Sequence, residues 1–289
     1  MKIVGFIANG KARLGVVDGE RLVDLHAVDN RLPGNLADIL ESEKGDLSSL
    51  ADLARKAPAS AHRDLDGITY GMPVSGPRKV ICLGLNYLDH VKEGPQRDNV
   101  PKYPSLFFRV LTSLVGHEQP LIVPRASVQL DYEAEMIAVV GRRARDLTMD
   151  NALSCIAGYS CGNEGSVREF QRHTTQWTMG KNFDKTGSVG PWLVTADELP
   201  PGGIGLSIQT RLNGHVMQSD NTSNMMFPLA ETLVYLTKGI TLEPGDVIFT
   251  GTPSGVGHAR KPQVWMKPGD TVEVDIQNIG VLRNPIAAE

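Results

Sequence analysis

Hydrophobic and polar residues alternate in short runs at the start of the chain, with turn dipeptides such as Asn9-Gly10 between the runs. This pattern predicts three short strands, over residues 2–8, 12–17 and 21–25. Two stretches with the spacing of helices follow, over residues 36–41 and 47–55. No cluster of chemically active side chains accompanies these elements. We therefore predict a small N-terminal α+β domain over residues 1–75, with a structural or oligomerisation role.

Strand patterns dominate the rest of the chain, which we predict to form a second domain over residues 76–289. Its predicted strands cover residues 80–84, 106–110, 121–123, 130–141, 247–251 and 271–276. Three predicted helices interrupt them: one from Asp150 to about residue 157, one from Ser166 with a capping box to Glu169, and one containing Leu229, Leu233 and Leu236. The predicted fold class is therefore α+β and rich in strands.

Two glutamates lie close together in the strand predicted over residues 130–141. Residues two apart in a strand point to the same face, so we expect the Cα atoms of Glu133 and Glu135 about 6.6 Å apart. Ile137 and Val139 follow on that face, which suggests an interior face. Buried like charges need compensation, most commonly by a divalent cation, so the spacing predicts a metal site. The spacing is also compatible with two solvated glutamates at the exposed end of an edge strand. It is less typical of the acid/base pair of a glycosidase, because those two carboxylates normally come from separate elements.

Other side chains could complete such a site. His90 and Glu93 are three residues apart on a short predicted helix, where the carboxylate would orient the imidazole as a general base, although this spacing is also common on solvated helices. Glu164 precedes the helix predicted from Ser166, so it could supply a third carboxylate or only decorate the start of that helix. Lys181 lies among aromatic and glycine residues, which favours a buried lysine paired with an anion.

Two loops are further candidates. Segment 251–257 is rich in glycine but has no lysine after its glycines, so it is not a P-loop. It is either a plain turn or a set of backbone N–H groups that face a carboxylate together with the Thr252 hydroxyl. The glycine and prolines of residues 94–104 predict a mobile loop over the site.

The composition excludes several classes of protein. With 289 residues, of which 41% are hydrophobic and 21% charged, the chain is typical of a globular protein. A net charge of −4 without runs of Lys and Arg argues against nucleic-acid binding. The three cysteines form no CxxC pair, which argues against a zinc–thiolate site and favours a reducing compartment. Because we recognise no secretory signal and no long apolar span, we predict a cytoplasmic protein with a small-molecule substrate and no membrane partner.

Several short motifs, taken in order, resemble those of the fumarylacetoacetate hydrolase superfamily, in particular its acylpyruvase-like and hydroxyheptadienedioate isomerase-like members. The resemblance covers about residues 78–286. The motifs are Gly84-Leu85-Asn86-Tyr87 with His90 and Glu93, Asp131-Tyr132-Glu133-Ala134-Glu135, Gly158-Tyr159, Ser166 with Arg168 and Gln171, Trp177-Thr178-Met179-Gly180-Lys181-Asn182-Phe183-Asp184, Asn213-Gly214 with Gln218, Pro244-Gly245-Asp246 and Gly251-Thr252-Pro253. The resemblance implies a catalytic domain built as a mixed β-roll after a small N-terminal domain, a homodimer, and a Mg²⁺ or Mn²⁺ site.

The resemblance also implies roles for single residues. Glu133 and Glu135 match two metal ligands. Glu164 stands at the position of the third ligand, which is usually an aspartate, so its longer side chain displaces the carboxylate by about one C–C bond. The implied catalytic residues are His90, Glu93 and Lys181, and the implied substrate-binding residues are Arg109, Gln171 and Thr252.

The reaction that these parts imply is hydrolysis of a carbon–carbon bond in a β-diketo acid of the acylpyruvate or fumarylpyruvate type. A divalent cation would polarise the carbonyl and stabilise the enolate that leaves, while His90, oriented by Glu93, would deprotonate the attacking water. Decarboxylation of an oxaloacetate-type acid is the nearest alternative, and keto–enol isomerisation of an intermediate of aromatic compound catabolism is another. A weakly active metal-binding paralogue is an alternative of a different class, because Glu164 departs from the usual aspartate.

Overall fold

Strands dominate the regular structure of the chain in a computed structural model that describes residues 1–94 and 98–289. The strands are β1 (Lys2–Ala8), β2 (Lys11–Asp18), β3 (Arg21–Asp24), β4 (His62–Asp64), β5 (Thr69–Tyr70), β6 (Val80–Gly84), β7 (Ser105–Phe108), β8 (Leu114–Val115), β9 (Leu121–Val123), β10 (Leu130–Asp131), β11 (Ala134–Val140), β12 (Ile156–Asn163), β13 (Ser166–Val167), β14 (Gly187–Thr195), β15 (Ser207–Leu212), β16 (His215–Asn221), β17 (Val247–Phe249), β18 (Thr271–Ile276) and β19 (Gly280–Ala288). The helices are α1 (Leu25–Val28), α2 (Leu36–Ser42), α3 (Ser48–Arg55), α4 (Leu88–Glu93), α5 (Arg168–Gln171), α6 (Thr178–Lys181) and α7 (Leu229–Thr237). Part of the loop predicted over residues 94–104, residues 95–97, lies outside the described residues.

A twelve-stranded sheet forms the centre of the fold and includes the first strands of the chain. Its main path runs β4-β3-β2-β1-β14-β12-β11-β17-β6-β7, and β1 pairs antiparallel with β14, with Lys2 opposite Val194. One hydrophobic core joins Leu14 and Leu36 to Ile137. Residues 1–75, predicted as an N-terminal domain, therefore share a sheet and a core with the residues that follow them, and the division of the chain at residue 75 stays a prediction.

Strand β11 is buried along its whole length and follows directly after Glu133. Its residues alternate between two hydrophobic cores, with Met136 and Ala138 in one core and Ile137 and Val139 in the other. Because Glu135 precedes Ile137 by two residues, it lies on the face of Ile137 and Val139. The alternation expected from the sequence therefore brings this glutamate into the interior.

A five-stranded sheet in the order β16-β15-β18-β19-β9 packs against one face of the central sheet. Ile208 of β15 and Val274 of β18 belong to the same hydrophobic core as Met136 and Ala138 of β11. Helix α7 adds Leu233 to this core, at the position that its hydrophobic spacing predicts. Two packed sheets with short helices confirm the predicted β-rich α+β class.

The helix predicted from Asp150 to about residue 157 is wrong. A single 3₁₀ turn, Ala152–Cys155, forms there, and β12 begins at Ile156. The reason is long-range pairing, because β12 lies between β11 and β14 and forms ladders with both. The capping signal at Asp150 is local and carries no information about these partners.

The capping box predicted at Ser166 is also wrong. Ser166 pairs with Asp131 in the ladder between β10 and β13, and α5 begins two residues later without a side-chain cap. The Ser166 hydroxyl lies instead 3.1 Å from Glu133 Oε1 and 3.0 Å from the carbonyl oxygen of Glu164. Its polar group therefore supports the glutamate cluster described below.

Candidate active site

Three buried glutamates converge at one end of β11 and β12. These two strands pair antiparallel, with Ala134 opposite Asn163, so Glu164 leaves β12 beside Glu133. A backbone hydrogen bond of 2.9 Å from Glu164 N to the carbonyl oxygen of Glu133 fixes this approach. Each of Glu133, Glu135 and Glu164 offers a carboxylate oxygen, and these oxygens lie within 4.8 Å of one another. The structure thus brings together all three acids that the sequence nominated as metal ligands.

Two buried cations hold Glu133 and Glu164 in place. Lys181 Nζ donates to Glu133 Oε2 at 2.8 Å and to Glu164 Oε2 at 2.7 Å. Arg168 Nη2 lies 2.6 Å from Glu133 Oε1. Burial by itself would raise the pKa of Glu133, but Arg168 and Lys181 outweigh burial and lower it. Burial would likewise lower the pKa of Lys181, but the carboxylates of Glu133 and Glu164 outweigh burial and raise it. Glu133 and Lys181 therefore both remain charged.

The remaining carboxylate oxygens fit a divalent cation. Glu135 Oε2 accepts a hydrogen bond of 2.7 Å from Gly251 N, while Glu135 Oε1 and Glu164 Oε1 are buried without a partner. Burial raises the pKa of Glu135 well above its ordinary value, and the nearby carboxylates of Glu164 and Glu133 raise it further. Hard cations such as Mg²⁺ and Mn²⁺ take carboxylate oxygens as ligands. A cation held by these three residues would satisfy the unpartnered oxygens and stabilise the ionised form of Glu135.

His90 and Glu93 form the pair that the sequence predicts. Both lie on α4, where His90 Nδ1 is 2.8 Å from Glu93 Oε1. The other carboxylate oxygen, Glu93 Oε2, accepts a hydrogen bond of 2.9 Å from Gly255 N, so the pair is attached to the glycine-rich segment 251–257. His90 is buried and close enough to Glu133 to help lower the pKa of that carboxyl group. With Nδ1 engaged, Nε2 is the ring nitrogen that can exchange a proton with a substrate.

A buried aspartate that the sequence analysis did not nominate organises the neighbouring cations. Asp131 Oδ2 accepts from Arg168 Nε at 2.8 Å and from the backbone N of His258 at 3.0 Å, while Oδ1 accepts from Gly257 N at 2.7 Å. Burial would raise the pKa of Asp131, but Arg168 and His258 outweigh it and lower the pKa. The signal was present in the sequence, because Asp131, Glu133 and Glu135 repeat at the two-residue period of a strand. No local pattern pointed to His258.

One predicted substrate contact does not line either cavity described below. Arg109 is buried, and its Nε donates to Ser113 Oγ, Nη1 to the carbonyl oxygen of Gly165 and Nη2 to Thr186 Oγ1, each at 3.1 Å. These hydrogen bonds support the chain next to Glu164. The contact of Arg109 with a substrate stays a prediction.

Two adjoining cavities lie at the site, and the glutamates line one of them. We call the first the inner cavity; its lining includes Glu133, Glu135, Glu164, Lys181, Phe107 and Thr252. The second, the outer cavity, adds Gly94, Arg172 and His258. Five residues line both cavities: Leu85, His90, Arg168, Gln171 and Trp177. Of the predicted substrate contacts, Gln171 therefore lies between the two cavities and Thr252 lies at the inner cavity.

Glycines allow the walls of the cavities to pack closely. A Cβ on Gly84 would lie 2.2 Å from the Trp177 ring, which also contacts Phe107 edge to face at 5.6 Å between centroids. A Cβ on Gly180 would lie 2.4 Å from the backbone of Gln171. Glycine at these two positions therefore sets the positions of Trp177 and Gln171 in the cavity wall.

The fold and the cluster of three buried glutamates are typical of a class of metal-dependent enzymes. Comparison with known proteins identifies this class. Residues 79–287 match the family model described as fumarylacetoacetate (FAA) hydrolase, C-terminal. The chain belongs to the fumarylacetoacetate hydrolase family and is an enzyme of that family.

Individual relatives resemble the chain over nearly its full length. It is 37% identical over 293 residues to a mitochondrial oxaloacetate tautomerase of Bos taurus, covering 99% of this chain and 91% of that protein. A fumarylacetoacetate hydrolase structure from Exiguobacterium antarcticum covers 100% of both chains with a TM-score of 0.86 and 35% identity. Maleylpyruvate hydrolase from Sphingobium sp. SYK-6, solved with manganese(II) and pyruvate, shares the fold with a TM-score of 0.82 at 22% identity.

Two findings concern membranes and cellular location. Among residues 1–94 and 98–289, no helix is both long and apolar enough to cross a membrane. The oxaloacetate tautomerases that resemble the chain are named as mitochondrial proteins. The predicted cytoplasmic location stays a prediction.

Proposed function

We propose that this enzyme catalyses the keto–enol tautomerisation of an oxaloacetate-type 2-oxo acid at a site that takes Mg²⁺ or Mn²⁺. One observation carries the proposal: a carboxylate-oriented imidazole, His90, lines the same cavity as three buried glutamates. The names of relatives that are about 37% identical over more than nine-tenths of the chain support the choice of reaction. The proposed reaction takes the place of hydrolysis, which was the first interpretation of the sequence. It combines the keto–enol chemistry of the isomerase alternative with the oxaloacetate-type substrate of the decarboxylase alternative.

His90 is the proposed proton carrier. Tautomerisation moves one proton from the carbon next to the carbonyl to the carbonyl oxygen, and it consumes no water. With Nδ1 held by Glu93, the Nε2 lone pair of the neutral imidazole can take the carbon-bound proton, and Glu93 stabilises the imidazolium that results. The same imidazolium then returns the proton to the oxygen, so His90 ends in its starting state.

The developing negative charge on the substrate oxygen needs fixed positive groups. A divalent cation held by Glu133, Glu135 and Glu164 would supply Lewis-acid polarisation of the carbonyl. Lys181 adds a donor, because an ammonium group has three N–H bonds and Glu133 and Glu164 occupy two of them. Gln171 and Thr252 line the cavity as further polar contacts for the substrate.

Hydrolysis of an acylpyruvate-type β-diketo acid stays a second candidate. The observation that favours it is the same His90–Glu93 pair, since an imidazole oriented by a carboxylate can also deprotonate a water. The two candidates differ in whether a carbon–carbon bond breaks. Decarboxylation of oxaloacetate, considered from the sequence, is distinguished from both because it releases carbon dioxide.

The test is a parallel assay of oxaloacetate and acetylpyruvate with Mg²⁺, with Mn²⁺ and with EDTA. Tautomerisation is followed by the ultraviolet absorbance of the enol, hydrolysis by the pyruvate formed from acetylpyruvate, and decarboxylation by released carbon dioxide. Metal-dependent loss of the oxaloacetate enol without cleavage supports the proposal. Cleavage of acetylpyruvate alone supports the hydrolase instead, carbon dioxide release supports the decarboxylase, and no turnover of either acid supports a weakly active metal-binding paralogue.

We also propose that the enzyme acts as a homodimer, as the family resemblance implies. Sedimentation equilibrium of the purified chain measures this directly. A species with twice the mass of one chain supports the proposal, and a monomer at micromolar concentration contradicts it.

A further inference from the structure

The outer cavity differs from the inner cavity because its described lining combines basic groups with no acidic group. The inner cavity contains three glutamates, whereas the described residues that line the outer cavity include no carboxylate. The outer cavity contains instead Arg168, Arg172, His90 and His258. A cavity wall with several basic groups and no acid favours an anionic ligand.

His258 presents a ring nitrogen that has no partner. Its side chain is only 9% exposed, and Nδ1 lies 3.3 Å from Asp131 Oδ2. Because a carboxylate accepts hydrogen bonds, this contact places the proton of the neutral ring on Nδ1. Nε2 is buried without a hydrogen-bond partner. Buried polar atoms are nearly always paired, so a ligand in the outer cavity is the natural partner of this nitrogen.

Arg172, an exposed residue, brings a further basic group to the same cavity. Its guanidinium forms no ion pair or side-chain hydrogen bond with any residue that the structure describes. Burial lowers the pKa of His258, the hydrogen bond and the charge of Asp131 raise it, and Arg168 and Arg172 lower it, so these groups lie close together. Asp131 hydrogen-bonds with Arg168, His258 and backbone N–H groups, and no hydrogen bond joins it to Arg172.

We propose that Arg172 and His258 form a subsite for the second carboxylate of a dicarboxylic 2-oxo acid. The position of the 2-oxo end in the inner cavity rests on the function proposed above. A guanidinium pairs with a carboxylate through parallel N–H bonds. His258, with Asp131 on one side and the bound carboxylate on the other, takes up a proton and donates from Nε2. The subsite selects dicarboxylic over monocarboxylic 2-oxo acids.

The experiment compares binding of two acids that cannot enolise, so that it does not depend on turnover. Dimethyloxaloacetate and trimethylpyruvate both lack a hydrogen on the carbon next to the 2-oxo group, and they differ in a single substituent, a carboxylate or a methyl group. Trp177 lines both cavities, so stopped-flow tryptophan fluorescence of the Mg²⁺-loaded full chain reports their occupancy. Affinities are measured for the native protein, Arg172→Gln, Arg172→Lys and His258→Gln.

We expect the native protein to bind dimethyloxaloacetate about tenfold more tightly than trimethylpyruvate. Arg172→Gln removes most of this preference and leaves trimethylpyruvate binding unchanged, Arg172→Lys keeps part of it, and His258→Gln lowers it by about fivefold. Arg142→Gln is the matched control, because Arg142 is an exposed arginine beyond the far end of β11 and its loss changes the net charge equally. The control keeps the full preference.

The proposal is overturned if the native protein binds both acids equally, or if Arg172→Gln weakens both to the same extent. Equal binding of trimethylpyruvate by the native protein and by each variant shows that the variants are folded. Failure of the proposed function is a separate result. If Arg172→Gln loses the preference for dimethyloxaloacetate but the native protein does not tautomerise oxaloacetate, the subsite is retained and the proposed function is wrong. If the native protein tautomerises oxaloacetate but Arg172→Gln keeps the preference, the function is retained and the subsite is wrong.

Discussion

At the scale of single residues, the site depends on which polar atoms are paired and which are not. Glu133 has partners for both carboxylate oxygens, in Arg168 and Lys181. Glu135 and Glu164 each keep one buried oxygen without a partner. An unpartnered buried oxygen costs free energy that a ligand recovers, so Glu135 and Glu164 are the residues whose loss affects cation binding most directly.

The variant Glu135→Gln tests this residue-scale argument. The amide keeps the size of the side chain but removes the negative charge, so we expect Mn²⁺ affinity to fall more than the roughly 10–100-fold typical of losing a residue outside the ligand shell. Mn²⁺ binding is measured by electron paramagnetic resonance. Glu169→Gln is the control, because Glu169 is an exposed acid on the neighbouring helix α5. Equal affinities in the two variants would contradict the assignment of Glu135.

The variant His90→Gln separates proton transfer from cation binding. Removal of a general base typically lowers the turnover rate by about 10²–10⁴-fold. We expect such a fall in the rate of oxaloacetate tautomerisation with Mn²⁺ affinity unchanged, because His90 is not one of the three clustered acids. Glu93→Gln should reduce the rate by a smaller factor, since it only orients the ring. An undiminished rate in His90→Gln would remove this residue from the mechanism.

At the scale of elements, close backbone packing places the side chains of short helices. Helices α5 and α6 carry Gln171 and Lys181 to the cavity although each has only four residues. Isolated helices of this length are not stable, so their positions depend on packing. Gly180 lets the backbone of α6 approach the backbone of Gln171, where a Cβ would lie at 2.4 Å.

The variant Gly180→Ala tests that contact. The added methyl group must displace α5 or α6, so we expect a loss of about 1–3 kcal/mol in the free energy of unfolding and a lower turnover rate. Urea denaturation and the tautomerase assay measure the two effects. Gly239→Ala is the matched control, because a Cβ there would meet no atom within 4 Å. If both variants are as stable as the native protein, the packing argument is wrong.

At the scale of the whole molecule, parts of the chain that are far apart in sequence meet around a partly buried histidine. The ring of His117 contacts Tyr70 edge to face at 4.6 Å between centroids, and Nδ1 accepts from the backbone N of Arg283 at 3.0 Å. Burial, together with the nearby charge of Arg283, lowers the pKa of His117 from 6.5 to about 4. The folded protein therefore holds this ring in its neutral form.

The stability of the protein should depend on pH through His117. In the unfolded chain His117 has a pKa near 6.5 and binds a proton below that pH, whereas in the folded chain it binds a proton only near pH 4. The neutral ring therefore contributes about 3 kcal/mol to the free energy of unfolding above pH 6.5, and this contribution is lost as the pH falls to 4. Urea denaturation across this range measures the loss. His117→Gln should flatten the pH dependence, whereas His173→Gln, an exposed control, should not; equal slopes in all three proteins would contradict the argument.

The sequence by itself determined the features that depend on near neighbours. The two-residue spacing predicted that Glu133 and Glu135 lie side by side, and their carboxylates do cluster, although β11 begins only at Ala134 and residues 132–133 interrupt the strand predicted over 130–141. The three-residue spacing of a helix turn brought His90 to Glu93. Turn dipeptides and apolar runs located about half of the strands, including β6 and β18, and missed others such as β12, β14 and β19. These features were predictable because backbone geometry fixes the relation between residues a few positions apart.

The tertiary structure alone decided which distant groups meet. The antiparallel register of β11 and β12 brought Glu164 to Glu133, and the path of the chain brought His258 to Asp131 across 127 residues. It also joined Arg109 to the carbonyl oxygen of Gly165 across 56 residues and replaced the helix predicted at residues 150–157 by the start of β12. Register and chain path depend on how whole faces of the sheets are buried, which no short stretch of sequence encodes.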